Sequence, residues 1–226
     1  MSDSGAREPI FRERPTAPIA PEGWPFVVPL VAATVASTAL APAWLAAIVG
    51  ALTLFVVAFF RNPARAVPGD ERTVVAPADG RVLCVDEIED EKGRKGLRIG
   101  IFLSVFDVHV NRAPLAGRVV AIERSGSLYL AAWNPRGERE NVQLALTLEL
   151  ADGRRIVVTQ ITGLIARRIV CHAQIGEWIA RGARYGLIRF GSRTDVLLPL
   201  GSTAAVKPGD RVRGGATVLG HLGDPA

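Results

Sequence analysis

The sequence has few cysteines, few aromatic residues and few histidines. Its 226 residues include two cysteines, Cys84 and Cys171, and three histidines. Two widely separated cysteines without a CxxC pair argue against a disulfide framework and against a zinc site, so we expect free thiols in a reducing compartment and no metal. Aromatic residues make up only 6% of the chain and are not interleaved with a basic run, which argues against a nucleic-acid partner.

Charged residues are absent from one long stretch, residues 25–60. It consists of two apolar runs, 24–41 and 43–60, separated by Pro42. Each run would span roughly 27 Å as a helix, close to the ~30 Å hydrocarbon core of a bilayer. Arginines flank the pair on its outer sides and none lies at Pro42, which predicts a membrane-associated helical hairpin with both ends in the cytoplasm. A buried hairpin of a soluble protein is the alternative. The net charge of +5 favours an anionic lipid surface.

After residue 73 the sequence changes to short apolar or β-branched runs between Gly, Pro and Asp turns. The runs cover residues 80–85, 97–103, 117–122, 141–150, 155–161, 165–171 and 184–190. Apolar residues alternate with others from 142 to 150, as in a strand with one buried face. We therefore predict a mainly β, sandwich- or barrel-like domain over 63–226, preceded by a flexible tail (1–23) and the hairpin (24–62). A pattern G-[ED]-x-[IV]-x-x-G occurs at 176–182 and 209–215, and indicates either two ordinary turns or an internal duplication.

Three polar residues stand at unusual places in this β-rich sequence. Asp79 lies in a turn just before a strand, His109 lies among apolar neighbours, and Gly191-Ser192 separates two β-favouring runs. Each alone is typical of a turn, a core histidine or a loop. Together they are the parts of an Asp–His–Ser relay, in which the histidine takes the serine proton and the aspartate orients the imidazole. Because glycine lets a hydroxyl approach the preceding carbonyl closely, we predict that the chain cuts itself at Gly191–Ser192.

Four segments make the sequence resemble the phosphatidylserine decarboxylases of short bacterial type. They are FFRNPAR at 59–65, APADGRV at 76–82, FDVHVNRAP at 106–114 and ARRIVCHAQIGEWIARGARYGLIRFGSR at 166–193. The resemblance implies self-cleavage into chains 1–191 and 192–226, with Ser192, His109 and Asp79 as the catalytic residues. It further implies a covalent pyruvoyl group derived from Ser192, which forms a Schiff base with phosphatidylserine and replaces any metal, pyridoxal phosphate or nucleotide. The implied location is the cell membrane, with the catalytic domain on the cytoplasmic face. The implied partner of the large chain is the cleaved small chain, and whether the protein also forms a homo-oligomer is left open.

Two departures from the family pattern leave alternatives open. The family motif LGST occurs literally at Leu200–Thr203, so Ser202 competes with Ser192; we favour Ser192 because residues 182–192 match the block before the cleavage site, although Arg193 replaces the motif's threonine. Phe106 stands where longer members carry a second histidine, so the proton donor after decarboxylation is unassigned. A role for His172 is also open. The candidate contacts for the lipid phosphate or carboxylate are Arg167, Arg168, Arg189 and Arg193.

Other classes of protein fit the sequence less well. The PADG and VKPGD turns also suit a non-enzymatic, membrane-anchored hybrid-motif domain of the biotinyl-like carrier type, but no lysine occupies a hairpin tip. An efflux adaptor needs coiled-coil heptads, and a β-rich metallopeptidase needs an HxH-like ligand set. The sequence contains neither.

Overall fold

A computed structural model describes residues 10–11, 17–89, 92–93, 95–131, 134, 136–164, 168–189 and 191–224. Within them a 3₁₀-helix, Pro21–Gly23, precedes three α-helices: α1 (Trp24–Leu40), α2 (Ala43–Phe59) and α3 (Gly137–Glu140). The strands are β1 (Ile10–Phe11), β2 (Thr73–Val75), β3 (Gly80–Glu89), β4 (Lys95–Leu103), β5 (Val110–Arg112), β6 (Gly117–Ser125), β7 (Gln143–Glu149), β8 (Arg155–Ile161), β9 (Ile169–Cys171), β10 (Glu177–Ile179), β11 (Arg184–Ile188), β12 (Ser192–Pro199), β13 (Thr203–Ala204), β14 (Arg211–Val212) and β15 (Val218–His221). The prediction of a mainly β fold with an apolar helical N-terminal part is confirmed.

One large sheet dominates the β-rich part. Its nine strands follow the order β1-β10-β6-β7-β8-β12-β4-β3-β14, and two three-stranded sheets, β5-β11-β9 and β13-β15-β2, accompany it. Only β1 and β10 pair in parallel; all other described pairs are antiparallel. Strand β12 lies in the middle and is hydrogen-bonded to β4 on one side and β8 on the other.

Eight of the nine strands of the large sheet form two matching halves, β10-β6-β7-β8 and β14-β3-β4-β12. In each half a short strand pairs with the first two residues of a Gly-Arg-Val strand: Ile179 with Gly117, and Val212 with Gly80. The preceding turn repeats the same contact, since Gly176 N–H donates to Val119 O at 2.8 Å and Gly209 N–H donates to Val82 O at 2.8 Å. Both long strands then bulge immediately after that valine. These equivalences favour duplication over two unrelated turns.

The core follows the period-two pattern of the strands. In β7 the residues Leu144, Leu146 and Leu148 are buried, as the alternation predicts. They join a single apolar cluster with residues of the neighbouring strands. Its members include Ile99, Ile101, Leu103, Ile156, Val158, Val196 and Leu198.

The strand boundaries differ from prediction mainly at short or polar segments. The run predicted at 165–171 is a strand only over Ile169–Cys171, and residues 165–167 lie outside the described residues. The run at 184–190 ends as a strand at Ile188, and residue 190 is likewise outside. Strands β5 and β10 contain three residues each and include Asn111, Arg112 and Glu177, so no apolar run marks them.

Helices α1 and α2 form the predicted hairpin. Thr53 joins them, because its hydroxyl lies 2.8 Å from the Thr34 hydroxyl and donates to Leu30 O at 3.2 Å. Large apolar side chains face outward, such as Leu40 at 86% and Trp44 at 65% exposure. A soluble core hairpin would bury these side chains, whereas a lipid environment accepts them. The segment Pro21–Leu40 is long and apolar enough to cross a membrane, and Ala43–Phe59 is slightly shorter.

The base of the hairpin is docked on the β-rich part. Phe59 and Phe60 are buried in a second apolar cluster together with Val108, Val110 and Leu187. Residues 17–23, which the sequence assigns to the tail, also lie at this junction: Ala20 N–H donates to Phe60 O at 2.8 Å, and the Glu22 carboxylate accepts from Arg184 of β11. The remainder of the tail, residues 1–9 and 12–16, lies outside the described residues.

Candidate active site

Ser192 is the first residue of β12 and lies at the buried end of the central strand. It is paired with Leu103 of β4 and is fully buried. Its Oγ has no hydrogen-bond partner among the described residues. The preceding Gly191 has φ +56°, a left-handed conformation that glycine adopts without steric cost, and no atom lies within 4 Å of the place where a Cβ would stand. The hydroxyl is therefore buried, without a partner among the described residues, and adjacent to the Gly191–Ser192 peptide bond.

His109 is also fully buried, and its hydrogen bond defines its tautomer. Nδ1 lies 2.9 Å from the carbonyl oxygen of Asp107, which can only accept a proton, so Nδ1 carries the hydrogen. In the neutral ring Nε2 then has a free lone pair, and it has no partner among the residues that the structure describes. Burial lowers the pKa of His109 to about 4. The imidazole is therefore an uncharged base at neutral pH.

Phe59 covers one face of that imidazole. The two ring centroids are 4.3 Å apart, and Phe59 itself is 1% exposed. The loop before His109 is held by the same part of the hairpin: Arg61 donates to Phe106 O at 2.7 Å, and the Phe106 ring meets Phe55 edge to face at 6.3 Å. The last turn of α2 thus packs against His109 and against the loop before it.

Backbone and side-chain contacts bring the His109 and Ser192 segments together. Ile188, four residues before Ser192, donates its N–H to His109 O at 3.2 Å. Asn111 Nδ2 donates to Thr194 Oγ1 at 3.3 Å. These two contacts place the segment that carries His109 next to the segment that carries Ser192.

Asp79 occupies the turn before β3, as predicted, but its hydrogen bonds go elsewhere. One carboxylate oxygen accepts from Arg65 at 2.8 Å and the other from Gly214 N–H at 2.8 Å. Burial raises the pKa of Asp79, and these two contacts oppose the rise. Among the described residues no hydrogen bond joins Asp79 to His109; the orienting contact to the imidazole comes from the backbone of Asp107.

Ser202, the competing serine, lies beyond the opposite end of β12. Its hydroxyl donates to Pro199 O at 2.7 Å within a partly exposed turn. The strand from Ser192 to Pro199 is about 24 Å long at ~3.4 Å per residue. Ser202 is therefore paired and remote from His109.

The candidate arginines differ in whether a carboxylate is paired with them. Arg193 is buried and forms a bidentate pair with Asp195 at 2.6 and 2.8 Å, and a further ion pair with Glu138 at 3.1 Å. It lies on the face of β12 opposite Ser192, as does Asp195, which lines an open cavity of about 910 Å³ that neither Ser192 nor His109 reaches. Arg167 lies outside the described residues. Arg168 and Arg189 form no ion pair with any described residue.

His172 lies elsewhere on the surface. Its Nε2 is 2.5 Å from a carboxylate oxygen of Glu22, whose other oxygen accepts from Arg184. Its side chain is 46% exposed. This histidine therefore fastens residue 22 to the body.

Sequence reasoning did not identify Asp107 and Phe59 as parts of the site. Asp107 is adjacent to the histidine motif, and its carboxylate accepts from Ser104 N–H at 2.8 Å and from the Ser104 hydroxyl at 2.7 Å. An Asp three residues after a Ser is a local turn signal that was available. No local signal links Phe59 to His109, because fifty residues separate them.

Comparison with known proteins gives one consistent result. A family model described as phosphatidylserine decarboxylase matches residues 52–220. The phosphatidylserine decarboxylase proenzyme of Citrifermentans bemidjiense is 49% identical over 215 residues, which cover 91% of this chain and 97% of that protein. The proenzyme of the same name from Symbiobacterium thermophilum is 49% identical over 207 residues (90% and 95%), and that from Burkholderia ambifaria is 42% identical over 213 residues (90% and 96%).

Proposed function

The chain belongs to the phosphatidylserine decarboxylase family, and from this premise we propose that it is a proenzyme which cuts itself at Gly191–Ser192 and uses the resulting pyruvoyl group to decarboxylate phosphatidylserine. The observation that carries the proposal is the pair of buried, unpartnered atoms, Ser192 Oγ and His109 Nε2. A buried polar atom without a partner is costly, and such atoms are retained where chemistry uses them.

Self-cleavage begins with the neutral imidazole. Nε2 of His109 takes the proton of the Ser192 hydroxyl, and Oγ attacks the Gly191 carbonyl carbon. The amide C–N bond breaks as an ester C–O bond forms. Loss of the Ser192 α-proton and of the Gly191 carboxylate leaves dehydroalanine, and water then releases ammonia and leaves an N-terminal pyruvoyl group. The products are chains 1–191 and 192–226, both held in one fold.

The pyruvoyl group supplies a ketone that condenses with the substrate amine and accepts the electron pair left by departing CO₂. The protein's residues exclude water from this point: Phe59 covers His109, and Ser192 is buried. The Nδ1–H bond to Asp107 O fixes the ring so that Nε2 exchanges the proton. Asp79 completes the proposed set; it neutralises Arg65 and anchors the turn through Gly214 N–H.

The hairpin explains how such a site meets a lipid. We place the outward-facing apolar helices in the membrane, with both ends on the cytoplasmic side, as the flanking arginines indicate. Because α2 ends against His109, the candidate active site then lies at the level of the lipid headgroups.

Intact-mass measurement of the purified protein tests the proposal. We expect two chains that meet at 191/192, a blocked N-terminus on the small chain, and loss of CO₂ release after treatment with hydroxylamine, which reacts with ketones. A single chain of 226 residues with full activity would refute it. A carrier domain would instead show an intact chain with a modified lysine, and cleavage at 201/202 would transfer the serine's role to Ser202.

A further inference from the structure

Arg189 stands out among the arginines near Ser192 because its side chain forms no ion pair with any described residue. Arg193 is paired with Asp195 and Glu138, and Arg65 is paired with Asp79. Arg189 has no hydrogen bond or ion pair from its side chain to any described residue, and its Nε is buried without a partner. A guanidinium is always charged and offers five N–H donors. This one is therefore left with its donors unused.

The position of Arg189 relative to Ser192 is fixed by β11. It follows the last residue of that strand and precedes Ser192 by three positions. Its N–H donates to the carbonyl of Arg168 at 3.2 Å, so two arginines lie on neighbouring segments. Burial, followed by the positive charge of Arg168, lowers the pKa of Arg189. The negative charge of Glu22 opposes this lowering, but Glu22 is already hydrogen-bonded to Arg184 and His172. Two neighbouring positive charges without an ion pair of their own among the described residues make a local field that attracts an anion.

Phe26 holds the guanidinium at the base of the hairpin. The Arg189 Cζ lies 5.1 Å from the Phe26 ring centroid, and that ring stacks on Phe60 with centroids 5.6 Å apart. Phe26 belongs to the first turn of α1, at the end of the hairpin that meets the β-rich part. A stacked guanidinium keeps its edge available, and that edge matches two oxygens of a phosphate.

The chemistry of the lipid headgroup matches this arrangement. In a serine phospholipid, four covalent bonds separate the amine nitrogen from the phosphorus, so a substrate whose amine reacts at residue 192 must place its phosphodiester close by. We propose that Arg189, with Arg168 as the second cation, binds the phosphodiester of the substrate headgroup. This inference rests on the proposed function, and it assigns the substrate's anion to residues that take no part in self-cleavage.

Soluble headgroup analogues provide the test. Glycerophosphoserine carries the phosphodiester, whereas O-methylserine carries the same amine and carboxylate without it. We expect the wild-type enzyme to favour glycerophosphoserine in kcat/KM, and R189M to lose about 10- to 100-fold of that preference, as for removal of one charge-assisted contact. R189K should recover part of it, and R168Q should lose less. R155Q is the matched control, since Arg155 is exposed, is paired with Glu149 and lies at the end of β8 opposite to the end that pairs with Arg193.

Three further measurements make the outcome decisive. All variants must be cleaved to completion, which mass spectrometry shows and which excludes a folding defect. An unchanged preference in R189M would overturn the proposal, and so would weaker binding to phosphatidylglycerol vesicles with an unchanged preference, because that result would make Arg189 an anchor to bulk lipid. Calorimetry with glycerophosphoethanolamine tests the phosphodiester site separately from the decarboxylase function. If the wild type released no CO₂ yet bound this probe more tightly than R189M, the proposed function would be refuted and the phosphodiester site would be supported.

Discussion

Replacing Phe59 by alanine should move the pH dependence of self-cleavage. The ring lies 4.3 Å from that of His109 and is 1% exposed, so it excludes water from the imidazole. Burial is the largest cause that lowers the pKa of His109 to about 4; Arg61 lowers it further, and Asp107 opposes both. Without the Phe59 ring we expect water to enter and the pKa to rise toward the ordinary value of about 6.5.

The size of the effect follows from the fraction of neutral imidazole. With a pKa of about 4, His109 is almost wholly neutral at both pH 6 and pH 8, so the wild-type rate should be nearly flat between them. With a pKa near 6.5, only about a quarter of the imidazole is neutral at pH 6. The F59A rate at pH 6 should therefore fall to roughly a quarter of its rate at pH 8.

Freshly translated chains, quenched at intervals between pH 5 and pH 9, give the rates. The alanine variant also loses roughly 3–5 kcal/mol of stability, as for other buried phenylalanines. F59L is the companion variant, since leucine keeps an apolar cover and should retain most of the flat profile. L54A is the control, because Leu54 lies in the same helix and is 71% exposed. A flat F59A profile, with cleavage still proceeding, would show that Phe59 does not set the basicity of His109.

Further expectations concern the serines, the aspartate and the hairpin. S192A should remain a single chain, whereas S202A should be cut as efficiently as the wild type; mass spectra that show the reverse would exchange the two serines. D79N should slow self-cleavage at least about tenfold, since it leaves the largely buried Arg65 guanidinium without its charged partner. It should keep the flat profile between pH 6 and pH 8, because no hydrogen bond joins Asp79 to His109 among the described residues; a D79N rate that fell at pH 6 would indicate direct contact. T53V removes the hydrogen bonds to Thr34 and Leu30 O and should destabilise the hairpin by about 1 kcal/mol, visible as a lower unfolding temperature in detergent than that of T38V, whose hydroxyl bonds only within its own helix.

The sequence predicted the two long helices and the longer strands, because a pattern within its own segment marks each of them. The charge-free runs predicted both helices to within one residue at every end, because hydropathy is read along the chain. The longer strands followed from period-two alternation, and Gly191-Ser192 and His109 were recognised from their segments. Strands β5 and β10 were missed because each has only three residues, some of them polar, and so short a segment shows no period-two pattern.

Contacts between distant segments were beyond such reasoning. The predicted hydrogen bond from Asp79 to His109 rests on residue types, whereas the structure gives Asp79 to Arg65 and Gly214 and gives His109 to a backbone carbonyl. Arg193 follows Ser192 in sequence, yet strand alternation turns it to the opposite face, where Asp195 and Glu138 neutralise it. Both outcomes depend on pairing and register, which no single segment specifies.

The two matching halves of the large sheet carry different side chains in their equivalent turns. The turn that leads into β3 reads Ala-Pro-Ala-Asp-Gly and ends at Gly80, while its counterpart before β6 reads Ala-Pro-Leu-Ala-Gly and ends at Gly117. Asp79 therefore has Ala116 as its equivalent, so the same position before a Gly-Arg-Val strand carries a carboxylate once and a methyl group once. One half of the sheet can therefore keep a purely structural turn while the equivalent turn of the other half carries a functional side chain. The reaction centre that we propose lies where the two halves differ.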